Sequence, residues 1–401
     1  MASRWANPWL LGLLLGIAFL AGCRQLGPVV LGTNRAAYNM AVQRSTNQEL
    51  LLNLVRLKYR EPISFLQITS INSRFGFGID ATAIDNDVGA IDVAGIQYSE
   101  VPTLTYTPIE GEEFARRMLL ESDMNTFLLL VRGGWSIKRV MRLMVERVGD
   151  LYNYPEKETY ARFAELVEIW GRLQEREDLA FFYVQGSDRE IMDSLDRNDV
   201  RIETMLSANE AGYAFEESTD GRLRVKKRTR PFLIMQLVFE SQAEADRADK
   251  ALGLSPTRTI LRDGRVIERI RLLDPVEYQG RHVADKEFAP VPIWLRSVGN
   301  QLYCASRSVE VPPAHQALVK EYVNLQGQRV ESRDFTKDLL DIRFSADEPE
   351  NAFVRVRYRD LWFFIDDRDW QSKDSFALLL NIFSLQSDQQ KEKPVLTIPL
   401  F

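Results

Sequence analysis

The chain has 401 residues, a formal net charge of −6, and 45% hydrophobic and 27% charged residues. These values are ordinary for a globular protein, and the length is sufficient for two domains with a substantial core. A mildly acidic chain without a basic stripe is a poor candidate for a protein that binds nucleic acid.

The first residues have the pattern of a secretory signal. Arg4 and the α-amino group supply positive charge, and residues 10–21 are apolar. This run is too short to span a membrane, because a bilayer core of ~30 Å requires about 20 apolar residues. The next feature, Leu20-Ala21-Gly22-Cys23, resembles the lipobox of bacterial lipoprotein precursors. That resemblance implies cleavage between Gly22 and Cys23 and acylation of Cys23; an uncleaved N-terminal anchor is the alternative.

The lipobox resemblance also implies where the protein resides. Diacylglycerol and an N-acyl chain such as palmitate are expected on Cys23, and two or more chains anchor a protein stably. No other cofactor is expected. In Gram-negative lipoproteins an Asp after the cysteine typically retains the protein in the inner membrane, whereas this chain has Arg24. We therefore expect a periplasm-facing protein at the outer membrane.

A short tether precedes the folded part. Residues 24–34 would reach roughly 35–40 Å if fully extended, at about 3.3–3.6 Å per residue. We therefore divide the chain into a signal peptide (1–22), a lipidated N-terminus and tether (23–34), an N-terminal α+β part (35–178) and a C-terminal α+β part (179–401).

The N-terminal part is predicted to contain a helix, an antiparallel β segment and a helical hairpin region. Residues 36–60 have the apolar face of a helix, and Thr46–Glu49 has the T-x-x-E pattern of a capping box, which predicts that the helix restarts at Asn47. Residues 63–107 have strand patterns. Helices are then predicted after Glu110, at 124–132, at 136–148 from a stripe that includes Val145 and Val148, and at 157–176.

The C-terminal part is predicted to be mixed α/β. Strands are expected at 179–184, 213–217, 223–227 and 232–240, and helices at 199–209, 244–252 and 291–308. A hairpin around Asp263-Gly264 is expected within 256–273. The end of the chain is predicted as strand-strand-helix-strand, with the last strand at 394–399. The whole chain is thus predicted to be α+β.

The first strand of this C-terminal unit carries the candidate binding residues. Residues 353–358 alternate between apolar and basic, so that Arg355, Arg357 and Arg359 are predicted to share one face. Such a row can bind an acidic partner, a lipid phosphate or a glycan, or it can be an ordinary solvated sheet face.

An acidic cluster follows the second strand. Asp366, Asp367 and Asp369 can provide oxygen ligands for Ca²⁺ or Mg²⁺, or they can form a turn with Asp369 as the cap of a helix from about residue 370. The spacing does not fit an EF-hand, so we assign no metal site.

The sequence offers little for catalysis. The two histidines, His282 and His315, are far apart, and no zinc-binding or nucleophile-elbow motif is present. If Cys23 is acylated, Cys304 has no intramolecular partner, and we expect a buried, inert thiol. We assign no catalytic residue, although an enzyme stays an open alternative.

Three blocks, at 47–62, 102–114 and 358–373, resemble those of a family of Gram-negative lipoproteins to which no activity is assigned. The resemblance covers most of the chain after Cys23 and is weakest at about 180–290. It implies no catalytic residue. We therefore expect a non-catalytic structural or assembly subunit with a protein partner at the cell envelope; the alternatives are a module that binds a glycan or lipid headgroup, and a periplasmic enzyme.

Overall fold

The computed structural model has a mixed α+β fold, as the sequence predicted. It describes residues 36–81, 93–109, 111–186, 189–218, 220–228, 231–279, 288–323, 327–336 and 338–387. Within this part of the chain, no helix combines the length and the apolar character needed to cross a membrane. Gly22, Cys23, His282 and the strand predicted at 394–399 lie outside the described residues.

The helices and strands are numbered here in chain order. The helices are α1 (36–58), α2 (Gly111–Leu119), α3 (Met124–Arg132), α4 (Ile137–Met144), α5 (Tyr160–Glu175), α6 (Ile202–Glu210), α7 (Gln242–Leu252), α8 (Pro275–Gln279), α9 (Val298–Ser306) and α10 (Trp370–Ser387). The strands are β1 (Phe65–Ala81), β2 (Val93–Ile109), β3 (Val145–Val148), β4 (Leu151–Tyr152), β5 (Leu179–Val184), β6 (Arg189–Leu195), β7 (Tyr213–Glu217), β8 (Leu223–Lys227), β9 (Phe232–Phe239), β10 (Arg258–Ile260), β11 (Val266–Leu273), β12 (Ala289–Leu295), β13 (Tyr322–Val323), β14 (Arg329–Val330), β15 (Arg343–Ser345), β16 (Ala352–Tyr358) and β17 (Leu361–Asp366).

The chain forms two compact units, each built from separate segments. Unit 1 contains the described residues up to Phe114, together with Val309–Lys320 and Asp341–Lys373. Unit 2 contains Ala115–Ser308, Glu321–Leu340 and the described residues from Asp374 onward. The contiguous division predicted at residue 178 differs from this partition, because β5 belongs to a sheet that also includes β3 and β4.

Unit 1 contains α1, the β1–β2 hairpin and the three-stranded sheet β15–β17–β16. The apolar face predicted for α1 is buried at Leu50, Leu51, Leu54 and Val55. The hairpin is antiparallel. The separate strands predicted between residues 63 and 107 are therefore two long strands of 17 residues each.

The capping box predicted at Thr46 is wrong, because α1 continues through this position. The Thr46 hydroxyl donates to the Val42 carbonyl at 3.0 Å, which is the bond a threonine forms inside a helix. Glu49 accepts from the Leu66 backbone N–H at 2.6 Å instead of reaching back to Thr46.

Unit 2 is built on a seven-stranded mixed sheet in the order β4–β3–β12–β11–β9–β5, with β10 also paired to β11. The pair β11–β12 is parallel and the other pairs are antiparallel. Helix α5 packs against α4 and α7, and its apolar face buries Phe163 and Trp170. A smaller sheet, β6–β8–β7, lies with α6 between β5 and β9 in sequence.

The helix predicted at 136–148 is wrong in part, because a strand occupies its end. Helix α4 ends at Met144, and the next residues form β3, in which Val145 and Val148 are buried. Apolar residues three positions apart fit a helical stripe, and the buried Val145 and Val148 of this short strand have the same spacing. The stripe therefore does not distinguish a helix from the strand.

The helix predicted at 291–308 is also wrong in part, because a strand occupies its beginning. Helix α9 begins only at Val298. Before it, β12 buries Ile293 and Leu295 with the two-residue period of a strand.

Candidate binding cleft

Only two of the three arginines predicted to form a row lie on the same strand. Arg355 and Arg357 lie on β16, but Arg359 lies beyond the strand in the turn to β17, so the placement of all three on one strand face is wrong. Both turn residues have positive φ, 48° at Arg359 and 63° at Asp360. A two-residue loop with positive φ at both positions matches the twist of a β-hairpin.

Each arginine of the row has a carboxylate partner. The pairs, with their nitrogen–oxygen distances, are Arg355–Glu348 at 2.9 Å, Arg357–Asp360 at 3.3 Å and Arg359–Glu61 at 2.7 Å. The positive charges of the row are therefore largely balanced, and the three arginines do not form a free basic surface.

Arg359 belongs to an aromatic cluster at the end of α1. Its guanidinium carbon lies 5.1 Å from the centre of the Tyr59 ring, and its Nε donates to Tyr358 Oη at 3.0 Å. Tyr59 is buried, and its hydroxyl is hydrogen-bonded to His315 Nδ1 at 2.8 Å. Burial, more than any neighbouring charge, raises the pKa of Tyr59 to about 12. These contacts hold the end of α1 against the β16–β17 hairpin.

The three aspartates after β17 are occupied within the fold. Asp369 accepts from the Ser372 backbone N–H at 3.1 Å and from its hydroxyl at 2.6 Å, so it caps α10. Asp367 pairs with Lys373 at 2.8 Å, and Asp366 accepts from the backbone N–H two residues later at 2.9 Å. Among the described residues, no group of three or more potential metal ligands is found here or elsewhere. The arrangement corresponds to the turn-and-cap alternative.

Unit 1 contains a cleft of about 540 Å³ with two walls of different character. We call it the α1 cleft. One wall is formed by residues 40–48 of α1, and the other by β16, β17 and the loop before β16. The residues that line it are Met40, Gln43, Arg44, Asn47, Gln48, Glu348, Ala352, Phe353, Val354, Arg355 and Trp362.

The helical wall of the α1 cleft is rich in side-chain amides. Asn47 is only 8% exposed, and its side chain has no hydrogen-bond partner in the part of the chain that the structure describes. Gln48 Nε2 donates to the Arg355 carbonyl at 3.3 Å, which joins the two walls. Gln43 and Arg44 are exposed, one helical turn before Asn47 and Gln48. This wall offers hydrogen-bonding groups to a molecule in the cleft.

The sheet wall supplies aromatic rings and one ion pair. Trp362 is partly exposed and lies between Arg357 of β16 and Ser345 of β15 in the sheet register. The Arg355 guanidinium is held by Glu348 and by the carbonyl of residue 349, to which it donates at 3.0 Å. This wall therefore combines a flat apolar surface with the positive charge of Arg355, which Glu348 and the carbonyl of residue 349 hold in place.

Sequence reasoning found part of this site. It identified Arg355 as a possible binding residue but missed Trp362 and the helical wall. A signal for that wall exists in the helical spacing of three and four, which joins Met40, Gln43, Arg44, Asn47 and Gln48. On an amphipathic helix such a polar stripe is usually taken for the solvent face, so the sequence alone does not mark it as a site.

Cys304 lies on α9 in unit 2. It is partly buried rather than fully buried as predicted, and its Sγ lies 3.7 Å from Asn300 Oδ1 on the same helix. It borders a cavity of about 30 Å³, together with Tyr154, Arg296 and Arg307. That volume is close to the space of one water molecule.

Unit 2 contains a pair of carboxylic acids, of which one is buried and the other half-buried. Glu268 on β11 is 1% exposed, and Asp249 on α7 lies beside it. Arg258 on β10 donates to both, at 2.7 Å to Glu268 and at 2.6 Å to Asp249. Burial, and then the neighbouring Asp249 carboxylate, raise the pKa of Glu268 to about 7, and burial also raises the pKa of Asp249. The cluster links α7 to the β10–β11 hairpin, so it serves as a packing contact between these elements.

No protein-family model matches the chain, and no curated protein or solved structure gives a significant match either.

Proposed function

We propose that this protein is a lipid-anchored binding protein of the bacterial cell envelope, a structural or assembly subunit at the outer membrane that faces the periplasm. In this proposal Cys23 carries the acyl chains, and the folded part holds a partner without performing chemistry itself. The anchoring half rests on the sequence Leu20-Ala21-Gly22-Cys23. The binding half rests on one observation, the α1 cleft.

The α1 cleft has the size and the chemistry of a binding site. Its volume of about 540 Å³ lies in the range of ligand sites, ~300–1,000 Å³. Its ionisable residues are Arg44, Arg355 and Glu348. Glu348 is paired with Arg355, and the rest of the lining is mainly amide, aromatic and apolar side chains. The cleft is therefore suited to holding a molecule.

A second candidate function, which uses the same cleft, is a module that binds a glycan or a lipid headgroup. The specific observation in its favour is Trp362 beside Arg355 in the cleft lining. An enzyme is the third candidate. The carboxylic acids Asp249 and Glu268 resemble an acid–base pair in their raised pKa values, but Glu268 is inaccessible to a substrate at 1% exposure.

Mass spectrometry and cross-linking in intact membranes test the two halves separately. The mature N-terminus is expected to be Cys23 with diacylglyceryl and N-acyl groups. A photo-cross-linking amino acid at Gln43, inside the α1 cleft, is expected to give a reproducible adduct. The same group at Ser45, exposed on another side of α1 and outside the cleft lining, is the matched control. Equal adducts from both positions, or none from either, would argue against binding through the cleft.

A further inference from the structure

We infer that the α1 cleft binds a carbohydrate, specifically an uncharged oligosaccharide. This inference rests on the proposed function in taking the cleft as the binding site, and it adds the class of molecule that is held there. Three features of the cleft carry it: an available indole, a set of planar amides and a small net charge.

The indole of Trp362 provides a surface for a sugar ring. It is partly exposed in the cleft and forms no ring contact with the rest of the described chain. A pyranose presents C–H groups on one face and hydroxyls at its edge. An aromatic ring in a solvent-accessible cleft can pack against the C–H face, while neighbouring polar side chains form hydrogen bonds with the hydroxyls.

The amides of the helical wall match the hydroxyls of a sugar. Gln43, Asn47 and Gln48 line the cleft from one side of α1. Each amide offers donors and an acceptor in one plane, whereas a hydroxyl both donates and accepts. Asn47 is the most informative of the three, because it is only 8% exposed yet has no partner among the described residues. Its side-chain amide lines the cleft and is available to a ligand hydroxyl.

The charge of the cleft disfavours a phosphate-bearing lipid headgroup. Arg44 and Arg355 are its cations, and Arg355 is already held by Glu348. The helical wall comes from the interior of α1, so the free N–H groups of a helix start, which favour phosphate, are not at the cleft. Arg44, which has no ion pair among the described residues, makes a weak phosphate site by itself, whereas a neutral polyol needs no net charge.

The edge of β16 disfavours a peptide that adds as a strand. β16 is the outer strand of its sheet, pairs with β17 and borders the cleft at Arg355. The Arg355 carbonyl already accepts from Gln48. Strand addition requires free backbone groups along an edge, so this position would first have to lose its bond to α1.

Titration of the full-length, acylated protein with soluble oligosaccharides tests the inference. The probes are chitotetraose, maltotetraose and mannotetraose, and the detergent must have no sugar headgroup. Isothermal titration calorimetry and tryptophan fluorescence are expected to show saturable binding of at least one probe. Trp362→Ala is expected to weaken that binding roughly tenfold and to remove the fluorescence change. Trp370→Ala, at a tryptophan outside the cleft lining, is expected to leave both unchanged.

A second pair of variants covers the case in which Trp362→Ala fails to fold. Gln43→Ala, at an exposed position of the cleft, is expected to weaken binding about three- to tenfold, while Asn39→Ala has no effect. Absence of binding by all three probes, or equal binding by wild type and Gln43→Ala, overturns the inference. Binding of phosphatidylglycerol vesicles that depends on Arg44, without oligosaccharide binding, also overturns it in favour of a headgroup.

The outcomes separate this inference from the proposed function. Acylated Cys23 and a cleft-specific cross-link without oligosaccharide binding would leave the proposed function in place and remove the ligand class. Oligosaccharide binding through Trp362 by a protein with an unmodified Cys23 would support the ligand class and remove the lipid anchor from the proposed function.

Discussion

At the scale of single residues, buried polar side chains fix the places where elements change. Asn153 is 6% exposed, and its Nδ2 donates to the carbonyls of Met141, Arg142 and Val145 at 2.8–3.2 Å. These carbonyls lie where α4 ends and β3 begins. Arg296 donates to the Arg142 carbonyl as well, at 2.8 Å. The Met141 carbonyl also accepts from the Val145 backbone N–H, so Asn153 adds donors to carbonyls at the point where the helix gives way to the strand.

We predict that Asn153→Ala lowers the free energy of unfolding of the protein by about 2–3 kcal/mol, because it removes several buried hydrogen bonds between Asn153 and the end of α4. Urea denaturation measures the change. Asn209→Ala, at an exposed position of α6, is the matched control and is expected to stay within about 0.5 kcal/mol. Equal stability of the two variants would refute the role assigned to Asn153.

The carboxylic acid Glu268 gives a prediction for pH. Its pKa in the folded protein is about 7, above the ordinary value of 4.5. Between these values the folded state binds more protons than the unfolded state, so the contribution of Glu268 to the free energy of unfolding rises as the pH falls from about 8 to about 5. Glu268→Gln is expected to remove this contribution, and Glu203→Gln, at an exposed position of α6, is expected to preserve it. Urea midpoints across this pH range measure both; an unchanged pH dependence in Glu268→Gln would contradict the prediction.

At the scale of elements, the β16–β17 turn shows a constraint that residue type does not reveal. Arg359 and Asp360 both have positive φ, although Asn-Gly is the pair that such a turn favours. We predict that Asp360→Val lowers the free energy of unfolding by about 1–2 kcal/mol, because a β-branched residue is strained at positive φ. Thermal denaturation checks this.

Two companion variants isolate the backbone effect at this turn. Asp360→Gly removes the same carboxylate without strain and is expected to unfold at or above the wild-type temperature. Asp347→Val places the same side chain at an exposed position without positive φ and is expected to be nearly neutral. A loss of stability in Asp360→Gly equal to that in Asp360→Val would attribute the effect to the pair with Arg357 instead.

The elements also show which parts of the fold the sequence can predict. The sequence predicts long periodic segments such as α5 and α10 and the alternating strand β16, because the apolar residues of each follow a single helical or strand period. It does not predict β3 and β12. Each of these strands is short and adjoins a helix, and its secondary structure depends on a pairing partner far away in the chain. The same holds for the site. Arg355 is visible as a basic residue on a strand, whereas its neighbour Gln48 lies 307 positions away.

At the scale of the whole molecule, each unit is assembled from distant segments of the chain. Unit 1 contains α1 together with Asp341–Lys373, and the α1 cleft lies between these two segments. Formation of the cleft therefore requires the chain to close a long loop, which no local sequence pattern signals. In the proposed function, α1 is also the first described helix after the acylated Cys23, so one wall of the cleft lies close in sequence to the anchor.

In the proposed function, lipid on Cys23 holds the protein at the membrane, and intact-mass spectrometry of the protein purified from membranes measures that modification. We predict a chain that begins at Cys23 and carries diacylglyceryl and N-acyl groups, and a Cys23→Ser variant that is not acylated. A chain that retains residues 1–22, or that begins at Cys23 without lipid, would contradict this prediction.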